Sequence, residues 1–313
     1  MSSFATDVKN ELARLMYEES CCKTAELAAL LRMGAVMTLG GQRSIGLNFT
    51  TENAAVARKV LTLLKDCGNV KTEVRVSRSQ RLKKNNSYCI RVAPSLQVKE
   101  LLERLGLMHG ESLNVGSDSA ILRKQCCRRA YLRGAFLGGG SVNRPEGSYH
   151  LELVTGSQTF AELLLSLCHR FQLSAGLTDR KNDYIVYSKE SDAIMDFLGL
   201  MGAEDALTAF EIARNVKEVR NQVNRLVNCE TANLQKTVNA AVRQTERIHL
   251  IAEKIGLGGL PDSLKLTAQA RLENPDASLQ ELAQMMGVGK SGMNHRLRKL
   301  EKIALELTEG EKA

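Results

Sequence analysis

Apolar and polar positions along this chain follow a pattern that occurs twice. Residues 26–41 read ELAALLRMGAVMTLGG and residues 129–142 read RAYLRGAFLGGGSV. Each predicts an apolar helix with a glycine near its middle, Gly34 or Gly134, that runs out in a glycine pair or triplet. Each also follows a Cys-Cys pair and a basic residue, Lys23 in one copy and Arg128 in the other. Alternation in SIGLNFTT (44–51) and SYHLELVT (148–155) predicts half-buried strands. Helical patterns follow at 53–67 and 158–171, then strand-like pairs, KTEVRVSR with SYCIRVA and GLTD with DYIVYSK. The runs close on short helices, VKELLERLGLM (98–108) and DAIMDFLGLM (192–201). Two copies of helix–hairpin–helix–hairpin–helix predict one pseudo-symmetric α+β domain over residues 1–205.

A glycine in mid-helix lets another helix approach backbone to backbone. One such helix per copy predicts that the two pair at the pseudo-two-fold axis, with Gly34 and Gly134 as the pairing glycines. Two independently buried helices would carry the same small residues.

The pattern then changes. From 206 to 257 it is helical, long and rich in Asn and Gln, and it predicts a helical linker. Its segment NRLVNCETANLQKT (224–237) suits either a surface that meets DNA or the first domain, or a solvated, broken helix. Gly256, Gly258, Gly259 and Pro261 end it, leaving 258–313 as a small all-α domain. Within that domain SLQELAQMMGVGKSGMNHRLRKL (278–300) has the layout of a helix-turn-helix. Ser278 and Glu281 form an S-x-x-E capping box after the Asn274-Pro275 break. Leu279, Leu282, Ala283 and Met286 share one face, Gly287 suits a left-handed turn, and Met293, Leu297 and Leu300 continue the buried stripe. The exposed remainder of the second helix is Lys290, Ser291, Asn294, His295, Arg298 and Lys299. Asn reads adenine and Arg reads guanine bidentately, while Lys and Ser commonly hold phosphate.

Charge narrows the partner class. Across 313 residues, 43 Lys and Arg face 35 Asp and Glu, a formal net charge of +8. Lys71, Arg75, Arg78, Arg81, Lys83, Lys84, Arg91 and Lys99 crowd residues 71–99 against Glu73 alone. Arg123, Lys124, Arg128, Arg129 and Arg133 crowd 123–133 without an acid. Such a surface neutralises phosphates without reading sequence; a merely solvated face has the same composition. With 43 % apolar residues the chain is globular, and no apolar stretch approaches the ~18 residues that cross a bilayer. No secretory signal opens the chain, so a cytoplasmic setting is expected. The eight cysteines include the vicinal pairs Cys21–Cys22 and Cys126–Cys127 but no C-x-x-C. They are expected to be small apolar residues at helix starts, with no metal and no cofactor; a metal site built from both pairs is the lesser alternative, since adjacent cysteines rarely ligate one tetrahedral ion well.

LRGAFLGGGSV (132–142) resembles the LAGLIDADG motif of homing endonucleases, and LRMGAVMTLGG (31–41) resembles its partner copy. That resemblance implies a pseudo-two-fold fold whose strands form a saddle over DNA, with basic hairpin loops against the duplex. Members of that family place a metal-binding carboxylate beside the final glycine of the motif. Aligned on Gly34 and Gly134, those positions are Leu39 and Gly139, and the other motif aspartate is Met37 or Leu137. None can hold a hard cation for phosphodiester hydrolysis, so no catalytic residue is expected.

A degenerate LAGLIDADG-like domain, a helical linker and a helix-turn-helix together resemble the WhiA family of bacterial regulators. The likeness runs from SFATDVKNELAR (3–14) through CCRRAYLRGAFLGGGSV and NRLVNCETANLQKTV to the terminal helix-turn-helix. It implies a nucleoid-associated protein that binds double-stranded DNA without cutting it. Implied roles lie in cell division, chromosome segregation, sporulation and transcription, with protein partners in transcription or division. DNA contacts are expected from the second helix of the helix-turn-helix and from Arg78, Arg81, Lys83, Lys84, Arg128 and Arg129 of the duplicated domain. The rival readings are an active LAGLIDADG-type endonuclease and an RNA- or protein-binding scaffold.

Overall fold

Ser3 starts the first helix, α1 (Phe4–Arg14), by accepting a hydrogen bond from the Thr6 amide. The computed structural model describes residues 3–17, 19–41, 44–78, 86–110, 112–114 and 120–309. After α1 the chain runs α2 (Ser20–Gly34), β1 (Ala35–Leu39), β2 (Ile45–Thr51), α3 (Ala54–Gly68), β3 (Thr72–Arg78), β4 (Asn86–Ser95) and α4 (Leu96–Arg104). A minimal hairpin, β5 (Met108–His109) with β6 (Ser112–Leu113), follows. The succession then repeats as α5 (Gln125–Gly139), β7 (Gly140–Val142), β8 (Leu151–Thr155), α6 (Gln158–Arg170), β9 (Gly176–Arg180), β10 (Asp183–Ser188) and α7 (Ser191–Met201). The two sheets have equivalent antiparallel orders, β1-β2-β4-β3 and β7-β8-β10-β9. The α+β duplication expected from the repeat is therefore present in both order and pairing. Asn53 and Ser157 cap the corresponding helices α3 and α6, whereas Ser95 caps α4 and its counterpart α7 has no side-chain cap.

The centre of this unit is the pair α2 and α5. Residues 25–31 of α2 and 130–137 of α5 are buried without interruption, which explains why neither helix has a polar face in the sequence. Gly134 permits the contact. A Cβ there would lie 2.3 Å from the Glu26 carbonyl oxygen and 3.0 Å from the Ala29 Cβ. Gly138 does the same one turn on, where a Cβ would meet the Met33 Cβ at 2.5 Å. Gly34 does not fit the expectation. Its neighbour is the ring of Phe49 on β2, at 2.8 Å from an added Cβ, and not the partner helix.

The reason is register. Both helices have 15 residues and both carry their cysteines at the second and third positions, so Ala29 corresponds to Gly134 and Gly34 to Gly139. Aligning Gly34 with Gly134 is five positions out. The motif's carboxylate positions in the first copy are thus Gly34 and Arg32, not Leu39 and Met37; Leu39 ends β1 and is exposed. The corrected positions still offer no carboxylate in either copy.

Three charged groups are buried beside this helix pair: Glu26, Lys59 and Arg133. Lys59 Nζ stands 3.9 Å from Glu26 Oε2 and donates to the Leu15 carbonyl, while the Arg133 guanidinium lies 4.4 Å from the Tyr17 ring centroid. Burial pushes the Glu26 carboxyl up and the Lys59 ammonium down, and the opposite charge of each resists the other's shift. Breaking such a group by removing one partner costs about 3–5 kcal/mol, because it strands a buried charge.

α8 (Glu204–Lys254) is one unbroken helix, and Glu11 of α1 caps its start by accepting from the Asp205 and Ala206 amides at 2.8 and 3.0 Å. Gly256, at φ 72°, and a 3-10 turn at Leu257–Gly259 end it. Then follow α9 (Asp262–Glu273), α10 (Leu279–Met285) and α11 (Lys290–Glu309). The chain divides into two compact units, residues 1–217 and 218–313, each with its own core. This division falls earlier than the expected start of the last domain at 258 because Ile248 and Ile251 of α8 are buried with Leu264, Leu282 and Leu297.

Candidate nucleic-acid interface

The helix-turn-helix is assembled by short-range rules that can be followed residue by residue. Ser278 Oγ accepts from the Glu281 amide at 3.3 Å, and Glu281 returns the bond by accepting from the Ser278 amide at 2.7 Å. That amide, with the Ser278 side chain, holds the Glu281 carboxyl below the usual carboxylate range. The turn closes where the Val288 amide donates to the Ala283 carbonyl at 2.9 Å, with Gly287 at φ 63°. A residue with a Cβ is strained in that left-handed conformation. Leu282, Ala283, Met293, Leu297, Leu300 and Ala304 are buried, so α11 turns one stripe inward at intervals of three and four residues.

The opposite face of α11 is what remains for a ligand. Lys290, Ser291, His295, Arg298 and Lys299 are exposed, and Asn294 is half-buried at the edge of the same face. All six expected residues are thereby brought together on one helical surface within its first ten residues. Arg271 was not singled out from the sequence, yet it helps to build this surface. It is buried in α9 and donates to the Ala277 carbonyl at 2.6 Å, tying α9 to the segment that leads into α10. Burial lowers its pKa from the ordinary guanidinium value. A lone Arg in an amphipathic helix gives no sequence signal for such a role.

The first sheet of the duplicated domain provides a second basic surface. Along β4, Ile90 and Val92 are buried while Arg91 is exposed. Arg91 pairs across the sheet with Asn48 and Glu73, and Cys89 pairs with Thr50 and Arg75, so these side chains share the outer face. Arg75 and Glu73 form an exposed ion pair at 3.1 Å. Arg78, at the end of β3, is exposed but alternates onto the side of Val74 and Val76. Arg81, Lys83 and Lys84 lie outside the described residues. The corresponding outer face of the second sheet is mixed in charge. There His150 stacks on Tyr187 at 6.3 Å between centroids and reaches Glu152 at 3.2 Å, and Arg180 pairs across the turn with Asp183.

Arg128 and Arg129 lie on neither sheet. Both stand at the start of α5, whereas β7 leaves from its far end. Arg128 uses Nε and Nη2 to hold the carbonyls of Leu122 and Arg123 at 2.7 and 3.1 Å, so it anchors the preceding loop. Arg129 is exposed in a cleft that Asp7, Glu11, Glu204 and Asp205 also line, a setting that is not basic.

The vicinal cysteines converge. Cys21 and Cys22 of α2 meet Cys126 and Cys127 of α5, with all four sulfurs within 4.8 Å of one another. Burial pushes the Cys22 thiol up to about 12 and the Cys127 thiol up as well, while hydrogen bonding with Cys22 holds the exposed Cys126 below its usual value. Sequence spacing within either pair could not reveal this contact, because it depends on how the two helices pack.

Among the described residues no helix is long and apolar enough to cross a membrane. Three family models cover most of the chain: the WhiA N-terminal LAGLIDADG-like domain at residues 20–108, the WhiA LAGLIDADG-like domain at 128–220, and the WhiA C-terminal HTH domain at 223–304. A relative from Desulforamulus reducens, named probable cell division protein WhiA, is 53 % identical over 98 % of this chain and 97 % of its own length. One of the same name from Heliobacterium modesticaldum is 50 % identical, with 96 % of each chain covered. The crystal structure of full-length DUF199/WhiA from Thermatoga maritima matches 97 % of this chain and 99 % of its own, at 25 % identity and a TM-score of 0.59. A duplicated LAGLIDADG-like unit followed by a helix-turn-helix unit, matched along nearly the whole sequence, identifies this chain as a member of the WhiA family.

Proposed function

We propose that this chain is a sequence-specific double-stranded-DNA-binding regulator that acts in bacterial cell division without cleaving its target. The observation that carries the reading is the outward face of α11, where Lys290, Ser291, Asn294, His295, Arg298 and Lys299 are presented by a capped, glycine-turned helix-turn-helix. Asn294 and Arg298 are four residues apart on that face, where they read base edges while the lysines and Ser291 hold phosphate. The outer face of the first sheet, with Arg75 and Arg91, adds affinity that is independent of sequence. Arg78, exposed on the other side of β3, and the Arg81, Lys83 and Lys84 segment that follows it in the sequence belong to the same proposal as further phosphate contacts.

The cell-division role is supported by the names of relatives about half identical over their full lengths. Roles in sporulation, chromosome segregation and transcription, and a nucleoid location in the cytoplasm, belong to the same reading. The absence of nuclease chemistry is supported by Gly34 and Gly139 at the helix ends, where the LAGLIDADG motif needs carboxylates. The test is competition between duplex DNA and structured RNA for the full chain at fixed salt, together with incubation of the bound duplex with Mg²⁺ or Mn²⁺. Preferential duplex binding with intact strands is expected. Preference for RNA would support a scaffold role, and turnover would overturn the non-enzymatic reading.

A further inference from the structure

The four cysteines at the helix pair lie on neither α11 nor the outer face of the first sheet, and their placement is specific. They occupy the second and third positions of two helices related by the internal duplication, so each copy supplies two sulfurs. Their sulfurs lie within 4.8 Å of one another, and Cys126 and Cys127 are 4.0 Å apart. A tetrahedral ion with metal–sulfur bonds of ~2.3 Å needs sulfurs ~3.8 Å apart. The observed spacings lie within about 1 Å of that geometry. Cys22 and Cys127 are buried, while Cys126 is exposed and Cys21 is half-buried, so the cluster has an inner wall and an open side through which an ion can enter.

The surroundings suit a negatively charged centre. Neither α2 nor α5 has a side-chain cap of the kind that starts α3, α4 and α6, although the Cys22 amide of α2 donates to the Glu19 carbonyl at 3.1 Å. Each helix start also carries about half a unit of positive charge from its aligned peptide dipoles. Lys23 and Arg128 follow the cysteines directly, Lys23 paired with Asp66 at 2.7 Å and Arg128 bound to the Leu122 and Arg123 carbonyls. Thiolate sulfur selects a soft or borderline cation over Mg²⁺ or Ca²⁺.

We propose that Cys21, Cys22, Cys126 and Cys127 form a tetrathiolate site for Zn²⁺ that clasps the N-terminal ends of α2 and α5. Four thiols release four protons as four sulfur–zinc bonds form, giving a centre of net charge −2 and changing no oxidation state. The clasp lies at the end of the helix pair away from the Gly138–Met33 contact, so it secures the part of the seam that those close-packed residues do not hold. This site is separate from the basic surfaces and from the positions where the LAGLIDADG motif carries its carboxylates.

The full-length protein, purified anaerobically under reducing conditions and stripped with chelator, is titrated with Zn²⁺ and, separately, with Co²⁺. One ion per chain, thiolate-to-cobalt charge-transfer bands and tetrahedral d–d bands are expected. Zn²⁺ should also protect the peptides containing both vicinal pairs from alkylation while leaving Cys229 reactive. The double variant Cys21→Ser with Cys126→Ser should lose the cobalt spectrum and the Zn²⁺-dependent rise in Tm. Cys229→Ser should retain both. The protection experiment needs only the unaltered chain, so misfolding of the double variant does not obscure the result. Equal alkylation of all four cysteines with and without Zn²⁺, a cobalt spectrum lacking thiolate bands, or a disulfide joining the two helices in the freshly purified protein would each overturn the proposal.

Discussion

The two copies of the repeat share a scaffold and differ in what they present. Their sheets have equivalent strand orders, and their central helices have the same length and the same vicinal cysteines. Their outer faces have diverged. The first sheet exposes Arg75 and Arg91 and leads into the basic Arg78–Lys84 stretch. The second joins β9 to β10 through a tight turn at Lys181 and Asn182, both at positive φ, and balances Arg180 with Asp183 and His150 with Glu152. The helix seam is asymmetric in a different way, since α5 supplies the glycines and α2 supplies Ala29 and Met33 against them. Buried positions of the duplication answer to packing and tolerate little, whereas exposed strand positions are free to acquire a ligand in one copy alone.

The largest effect is expected at the seam. Gly134→Val places a branched side chain against the Glu26 carbonyl and forces α2 and α5 apart, so a loss of ~3 kcal/mol or more is expected by chemical unfolding. Gly34→Ala meets only the edge of the Phe49 ring and should cost clearly less. Equal losses at the two glycines would restore the symmetric pairing that the sequence suggests. In the second unit, Arg298→Ala and Asn294→Ala should each lower preference for the target over random duplex by ~1–3 kcal/mol, measured by competition binding, with Tm unchanged. Removing the cap with Ser278→Ala should cost ~1 kcal/mol of stability in the helix-turn-helix unit; hydrogen exchange in α10 and α11 reports that loss. The smallest effect separates the two sheets. Arg75→Ala with Arg91→Ala, or changes at Lys83 and Lys84, should weaken all duplexes alike and lower the salt slope by ~1 per lost phosphate contact. Arg180→Ala on the second sheet with Lys189→Ala just past β10, where its ammonium lies 5.5 Å from the Tyr187 ring centroid, should leave the slope where it was. A slope altered equally from both sheets would mean that the divergence of their faces has no bearing on DNA.

Much of this architecture is legible in the chain because its signals are local. The capping box at Ser278 and Glu281, the turn at Gly287 and the stripe Met293–Leu297–Leu300 depend on spacings of a few residues, and the structure reproduces each of them. The succession of elements in both copies is legible for the same reason. What escaped the sequence depends on contacts between distant segments. Gly34 looks like the counterpart of Gly134 because both sit in apolar helices; the Cys-Cys pairs carry the true register in the sequence, and the common helix starts bear out that alignment over the glycine one. Arg128 reads as surface charge until the carbonyls of Leu122 and Arg123 are found beneath it. Arg78 falls in a basic run, but strand alternation turns it away from Arg75. The convergence of four sulfurs is invisible within either Cys-Cys pair. It follows from the packing of two helices whose first residues lie about a hundred positions apart.

In the proposed function α11 reads duplex DNA while the degenerate scaffold leaves it uncut. That function is tested most directly by selecting from a random duplex pool with the full chain in the presence of Mg²⁺ and sequencing what is retained. An enriched motif on unbroken strands is expected, lost when Asn294→Ala and Arg298→Ala are combined. Enrichment that survives this double change, or strands recovered cleaved, would contradict that function.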